Sequence, residues 1–398
     1  MNIKEKNGML KNCTGCGVCQ AVCASKAIVM QANIEGFLYP VVDTTLCREC
    51  DRCYTVCPIS DNNSTSERHK SFAVYACQAK DKQLLIEATA GGLFPVLAQK
   101  IIQMGGSVYG AAYNEHMKVV HQRAVDMVGV ARFNGSKYVQ SDITPVLECV
   151  RTDLVSGCKV LFSGTPCQID ALKLFCSDIC SDNLYTLDVV CYGVPSPGVF
   201  ASYLNSLEEK YNGKIYDYRF RDKHSNGWSH TTVVKMREKQ GSERVIEEKN
   251  YQCFPYYRMF AHRDCFRTSC YTCSYTNLNR CSDITTGNFW GIEKISSKFD
   301  TYLGVSMALI NTKKGNNLFV SVMDEIVCEQ RLIDEAVAAN DALVKCVPYQ
   351  KRRDRIYKCF SKRGFDRMIQ KYYTDNLYIR TRKTLGKIKR KLITNSEQ

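Results

Sequence analysis

Nowhere does the 398-residue chain hold an uninterrupted apolar run of the roughly 18–20 residues that a membrane-spanning helix requires. Its opening stretch, MNIKEKNGML, is charged and has no apolar core, which argues against a secretory leader. The expected location is the cytoplasm, with at most peripheral contact at a membrane. In that reducing compartment the 23 cysteines read as metal ligands and buried thiols rather than disulfides. No nucleic-acid recognition motif accompanies the net charge of +14, so no nucleic-acid partner is expected. Most of that charge is local: residues 351–398 hold 16 Lys and Arg against 4 Asp and Glu, leaving 38 against 36 for the rest. Within this basic tail, RTRKTLGKIKRKL at 380–392 sets Leu385, Ile388 and Leu392 at helical spacing. Such a segment fits an anionic membrane surface or an acidic partner, as well as a solvated terminus.

What the chain has in abundance is ordered cysteine. Cys13, Cys16, Cys19, Cys23 and Cys47, Cys50, Cys53, Cys57 both follow Cys-x2-Cys-x2-Cys-x3-Cys, and Pro58 follows the second block. This is the two-cluster bacterial ferredoxin pattern, in which the fourth cysteine of each block reaches the other 4Fe-4S cube. The expected ligand sets are therefore crossed: Cys13, Cys16 and Cys19 with Cys57, and Cys47, Cys50 and Cys53 with Cys23. Structural zinc needs only two close pairs per site and leaves the rest of each block unexplained. Gly15 and Gly17 separate the first ligands, where a backbone wrapped tightly round a cube favours residues without a side chain. The second loop carries Arg48, Glu49, Asp51 and Arg52 instead, so the two cubes should sit in unequal electrostatic surroundings.

A chain this long predicts two or three domains. The polar stretch ISDNNSTSERHKS closes an α+β ferredoxin-like domain at residues 1–62. Beyond it, short apolar runs alternate with amphipathic helical patterns (FAVYAC, LFPVLAQKII, SVYGAAY, VLFSG, LYTLDVV), which is α/β texture with a partly parallel sheet. The expected divisions are 63–150, 151–350 and the basic tail 351–398.

Three segments carry chemistry. In ATAGGLFPVLAQKII, Gly91 and Gly92 open a helix whose exposed N–H groups suit a phosphate; packing explains most such glycines. In GSKYVQSD at 135–142, Lys137 is suited to a pyrophosphate or flavin ring, with Ser136, Tyr138, Gln140 and Ser141 as hydrogen-bonding groups, though an ordinary polar loop reads equally well. Cys167 and Cys191 each follow an apolar strand in a turn rich in Gly and Pro, at the strand ends where open α/β sheets bind ligands. The third segment, residues 263–291, holds Cys265, Cys270, Cys273 and Cys281. Its Cys270-x2-Cys273 pair reaches one metal centre. Three options stay open: a third 4Fe-4S cluster on local ligands, the same cluster on Cys270 and Cys273 joined by Cys167 and Cys191, or zinc on the local four. Cys77, Cys149, Cys158, Cys328, Cys346 and Cys359 read as small buried hydrophobes. None of His116, His121, His224, His230 and His262 is read as a general acid.

The ferredoxin blocks, then ATAGGLFPVLAQ, GSKYVQSD, FSGTPCQI, CYGVPSPGVF, YRFRDKHSNGW and SCYTC with DITTGNFWG, resemble the coenzyme F420 hydrogenase and dehydrogenase beta subunit over roughly residues 10–310. More narrowly, the chain is similar to single-chain bacterial members with a fused ferredoxin domain, often associated with surface-polysaccharide gene clusters. The resemblance implies a flavoprotein oxidoreductase. FAD would be held by Gly91, Gly92, Ser136, Lys137 and Tyr138, beside a third cluster on Cys270 and Cys273 with Cys167 and Cys191. Electrons would pass from a ferredoxin-type donor protein through the 4Fe-4S clusters to FAD and on to a hydride-accepting small molecule, coenzyme F420 or another. Ala90 replaces the family's usual serine and Asn288 its usual aspartate before Phe289, Trp290 and Gly291. Both departures bear on flavin and deazaflavin binding. A noncatalytic electron-transfer subunit and a redox accessory of polysaccharide biosynthesis are the alternative readings.

Overall fold

The computed structural model describes residues 9–60, 68–179, 182–248 and 254–373. Apolar runs bounded by glycine or polar turns become the strands of one eight-stranded sheet: β1 (Ala73–Ala79), β2 (Ser107–Tyr113), β3 (Val119–Ala124), β4 (Val160–Gly164), β5 (Leu184–Val189), β6 (Ile284–Asn288), β7 (Ser306–Ile310) and β8 (Ile326–Gln330). Their order is β8-β1-β7-β6-β5-β4-β2-β3. The central strands β2, β4, β5 and β6 are mutually parallel, and the flanking pairs are antiparallel. All five residues of β7, SMALI, are buried, as expected of a strand covered on both faces. Strands from the regions expected on either side of residue 150 interleave in this single sheet.

Register decides what stands at the carboxyl end. Gly164 pairs with Asp188, so the chain leaves β4 and β5 side by side, and Cys167 and Cys191 each follow three residues later. That edge of the parallel strands is the crevice where such sheets bind ligands.

The N-terminal module contains the short helices Val18–Ala21 and Arg52–Thr55 and an antiparallel hairpin, Ile28–Ala32 with Leu38–Val42. At the hairpin tip the Asn33 carboxamide accepts from the Glu35 and Phe37 amides. This turn plants Phe37, fully buried, in an aromatic core of the body with Phe200, Tyr203 and Tyr357. Burying that ring stabilises the junction by about 2 kcal/mol. Arg353 Nη1 and Nη2 donate to the Glu35 carboxylate at 2.9 and 2.6 Å, and Ser196 Oγ donates to the Glu35 carbonyl at 2.5 Å. The module is therefore packed against the body.

A three-stranded antiparallel sheet, ordered 243–248, 232–238, 213–219, covers one side of that aromatic core. The first half of the segment expected as a basic tail is a helix, Arg353–Tyr372, kinked at Gly364. It buries Ile356, Tyr357, Phe365 and Met368 in the same core, so those residues belong to the body. The segment 380–392 lies outside the described residues. Among the described residues no helix is long and apolar enough to cross a membrane.

Candidate iron-sulfur and cofactor site

In the module the crossed grouping is visible on the inner side. Cys13, Cys16, Cys19 and Cys57 line one small pocket with Val18, Met30 and Ile59. Burial pushes the Cys16 thiol up to about 11 and Cys57 up to about 12, and the neighbouring cysteines of the same four raise them further. Cys23, Cys47 and Cys53 pack against a small core formed by Cys19, Ile28, Val42 and Cys57. Cys50 stands at the surface. Gly15 N–H donates to Cys13 Sγ at 3.4 Å, the kind of amide contact that tunes a ligand sulfur.

A larger cavity, of about 420 Å³, opens at the carboxyl ends of β4 and β5. Cys167, Cys191, Cys270 and Cys273 all line it. Their convergence follows from the backbone. Cys167 begins the helix Pro166–Phe175, and Cys191 leaves β5 beside it. The Arg267 amide donates to the Val194 carbonyl at 3.0 Å, which pins the single-turn helix Thr268–Thr272, and with it Cys270, against the segment after Cys191. Thr165 Oγ1 lies 3.2 Å from Cys167 Sγ, and the Val194 amide donates to Cys270 Sγ at 3.5 Å. Burial pushes all four thiols up, Cys270 to about 12, and each of Cys167, Cys191 and Cys270 feels others of the four. A bare thiolate is disfavoured here, whereas a bound metal centre would deprotonate these ligands outright.

Cys265 and Cys281 do not join them. Cys265 is sealed in the aromatic core of the body, and Cys281 packs in a separate core, donating to the Pro166 carbonyl at 3.2 Å. Of the two cluster arrangements open from sequence, only the one using the sheet-edge cysteines is brought together. Among the described residues no three Cys, His, Asp or Glu gather tightly enough to hold a single metal ion.

The cavity wall is cationic. Arg68, Arg267, Arg280 and Lys345 line it, as do Asn12, Thr14 and Pro58–Ser60 of the module. Arg280 Nη2 donates to Asp188 at 2.8 Å, and both side chains are buried. Cys346, read from sequence as a buried hydrophobe, is only partly buried, its thiol donating to the Cys273 carbonyl at 3.2 Å. Cys149, read the same way, is exposed on the helix Leu147–Val155, while Cys77 and Cys359 are buried.

The segments expected to hold a flavin are adjacent, but several of their polar groups are already engaged. Gly92, with φ 78°, starts the helix Leu93–Gln103 with no side-chain cap, so its first amides are open. A Cβ on Gly91 would meet the Cys77 carbonyl at 2.3 Å, so that glycine also serves packing against β1. The Ser136 amide donates to Thr89 Oγ1 at 2.6 Å, which ties the two segments together. Lys137 Nζ donates to the Asn134 and Gly135 carbonyls at 2.9 and 3.2 Å, and burial pushes its ammonium down to about 7. It faces the protein's own backbone. Tyr138 stacks on Phe260 at 4.2 Å. In the same corner the Tyr113 hydroxyl and Asn134 Oδ1 are buried without a hydrogen-bond partner, and the Tyr113 ring lies 5.7 Å from the Lys137 ammonium. Buried polar atoms without a protein partner are rare, and each is a candidate contact for a polar ligand. Ala90 contributes a carbonyl that accepts from Lys223 at 2.6 Å. Asn288 ends β6, with its carbonyl accepting from Asn340 at 2.8 Å.

No histidine is among the residues lining the four-cysteine cavity. His121 is buried between Ser141 Oγ at 2.7 Å and the Ser163 carbonyl at 2.8 Å, and burial pushes it down to about 4. His224 pairs with Asp222 and Glu87. His230 contacts Tyr257, and His116 is exposed.

Paired cysteine blocks, a module pressed against a parallel-sheet edge and a second four-cysteine cavity together define an iron-sulfur protein of mixed α/β architecture. Residues 12–60 match the family model of the 4Fe-4S dicluster domain. Residues 157–336 match that of the C-terminal region of the coenzyme F420 hydrogenase/dehydrogenase beta subunit. The chain thus carries a region matching the C-terminal part of that beta subunit, with the dicluster domain in front. It is similar to the F subunit of the F(420)H(2) dehydrogenase of Methanosarcina mazei, 22% identical over 188 residues, which take in 45% of this chain and 53% of that protein. The chain thus spans about half the length of the curated relative it matches. A chain of the F420-reducing NiFe hydrogenase complex from Methanosarcina barkeri, solved after xenon derivatization, overlaps 76% of this chain and 91% of its own at 16% identity and a TM-score of 0.41.

Proposed function

We propose that the chain is an iron-sulfur flavoprotein oxidoreductase, exchanging electrons between a ferredoxin-type protein and a small hydride acceptor. When bound, 4Fe-4S cubes supply one-electron transfer and FAD couples single electrons to hydride chemistry. The observation that carries the reading is the cavity in which Cys167, Cys191, Cys270 and Cys273 converge, lined in part by the module. These four would hold a third cube. Arg68, Arg267, Arg280 and Lys345 would offset its negative charge, and Thr165 and the Val194 amide would donate to its ligand sulfurs. Asn12, Thr14 and Pro58–Ser60 of the module line the same cavity, which would bring the module's cubes close to the third one.

The open amides at Leu93, together with Tyr113 and Asn134, would orient FAD, while Thr89 and Ser136 hold the two flavin segments in register. Lys137 supports that loop from behind. The exposed second cysteine loop, with Cys50 at its tip, is the approach for the donor protein. Coenzyme F420 is one acceptor compatible with the family; Asn288 and Ala90 mark where this chain's acceptor site departs from it.

Anaerobic purification followed by flavin extraction tests this directly. About one FAD per chain, with turnover of an artificial acceptor by the chain alone, is the expected result. Iron without flavin would instead support the reading as a noncatalytic electron-transfer subunit.

A further inference from the structure

Arg267 belongs to the body, yet its fully buried guanidinium ends inside the N-terminal module. Nε donates to the Cys13 carbonyl at 2.6 Å, Nη1 to Gln140 Oε1 at 3.1 Å and Nη2 to the Leu38 carbonyl at 2.8 Å. Nη2 also points to Cys13 Sγ at 3.7 Å, and the guanidinium carbon lies 4.1 Å from the Tyr39 ring centre. All the oxygen acceptors are neutral. Among the described residues, no carboxylate lies within ion-pairing distance of Arg267. A buried guanidinium with no counter-charge is strongly unfavourable. The balance is restored once Cys13 is a thiolate of a cube, since a cube held by four thiolates is anionic in both redox states.

The surrounding chain is shaped to this contact. A Cβ on Gly15 would lie 2.6 Å from Arg267 Nη1, and Gly15 sits at φ 70°. Gln140 Nε2 donates to the Thr14 carbonyl at 2.8 Å, and Ser269 Oγ to the Cys13 carbonyl at 3.1 Å. Arg267 also lines the four-cysteine cavity, three residues before Cys270. The second cysteine loop has only exposed arginines, Arg48 and Arg52. A fixed, buried positive charge stabilises the reduced, more negative form of a neighbouring cube and raises its potential.

We propose that Arg267 is a positioning residue that holds the Cys13 loop against the cavity and sets the cube of Cys13, Cys16, Cys19 and Cys57 at a higher reduction potential than the cube of Cys47, Cys50, Cys53 and Cys23. Reducing equivalents in the module then rest on the cube beside the body. This rests on the iron-sulfur reading above and deepens it.

The test is a potentiometric titration of the full chain followed by electron paramagnetic resonance, with iron counted on the same samples. Cys16→Ser and Cys50→Ser assign the two module signals. In Arg267→Gln the ratio of reduced to oxidised inner cube at a fixed solution potential is expected to fall at least tenfold, about 59 mV for a one-electron couple, with the outer cube unmoved. Arg267→Lys keeps the charge and should restore most of that ratio. If Arg267→Gln does not load iron, Gln140→Glu takes its place, because a carboxylate on Nη1 cancels the charge and leaves the arginine; the same inner-cube fall is expected. An unmoved inner cube, or equal movement of both, overturns the inference. A wild-type chain holding fewer than about eight irons removes the two-cube reading itself, and this inference with it.

Discussion

At the scale of single residues, the site depends on side chains whose neighbours leave no room for change. Gly15→Ala would force a left-handed residue and push a methyl into the Arg267 guanidinium. We expect it to cost about 1–3 kcal/mol and to release iron from the inner cube first, read by thermal unfolding and by iron content. His121 makes a different prediction. Burial holds its imidazole at about 4 rather than 6.5, so between those values the unfolded chain binds a proton that the folded chain refuses. Its contribution is complete above pH 6.5 and is lost as pH falls towards 4, by up to about 3 kcal/mol. In His121→Gln, unfolding midpoints should vary less over that window; an unchanged slope would show that the buried imidazole is not the acid-sensitive group. Residue identity also explains what sequence could reveal. The module cysteines were legible because ligand spacing within each block is local, whereas Arg267 resembles any other arginine until the fold carries it to Cys13. The contact of Cys346 with Cys273 was hidden for the same reason, the two being distant in sequence.

Among elements, the hairpin tip and the kinked helix Arg353–Tyr372 join module to body. Phe37→Ala empties a fully buried ring site in the shared core and should cost about 3–5 kcal/mol. Glu35→Gln weakens the bidentate pair with Arg353 and should cost about 2 kcal/mol. Protease sensitivity of the module should rise in both, more in Phe37→Ala; equal resistance to wild type would mean that the junction is held elsewhere. The strands were readable from their apolar runs, since FAVYAC, SVYGAAY, VLFSG and LYTLDVV all lie in the sheet. The helix at 353–372 was hidden in the basic tail because its dense Lys and Arg mask the apolar positions that face the core. The two segments proposed to hold flavin lie side by side, but the direction of Lys137 was not legible. Its loop carbonyls capture the ammonium, a choice fixed by backbone shape after folding.

For the whole molecule, sheet order does the decisive work. Cys167 and Cys191 are far apart in sequence and meet because β4 and β5 are parallel neighbours in register; Cys270 and Cys273 arrive from a third segment held by the Arg267 amide. That assembly stood in the sequence only as one of several options, because spacing alone cannot state which strands pair. The proposed function would route electrons from the exposed cysteine loop, through the loop clamped by Arg267, to the cavity at the strand ends. The most direct measurement of this account is the iron content of the anaerobically purified wild-type chain beside Cys191→Ser and Cys281→Ser. The account predicts about twelve irons in wild type and in Cys281→Ser, falling to about eight in Cys191→Ser. About eight in all three would contradict it.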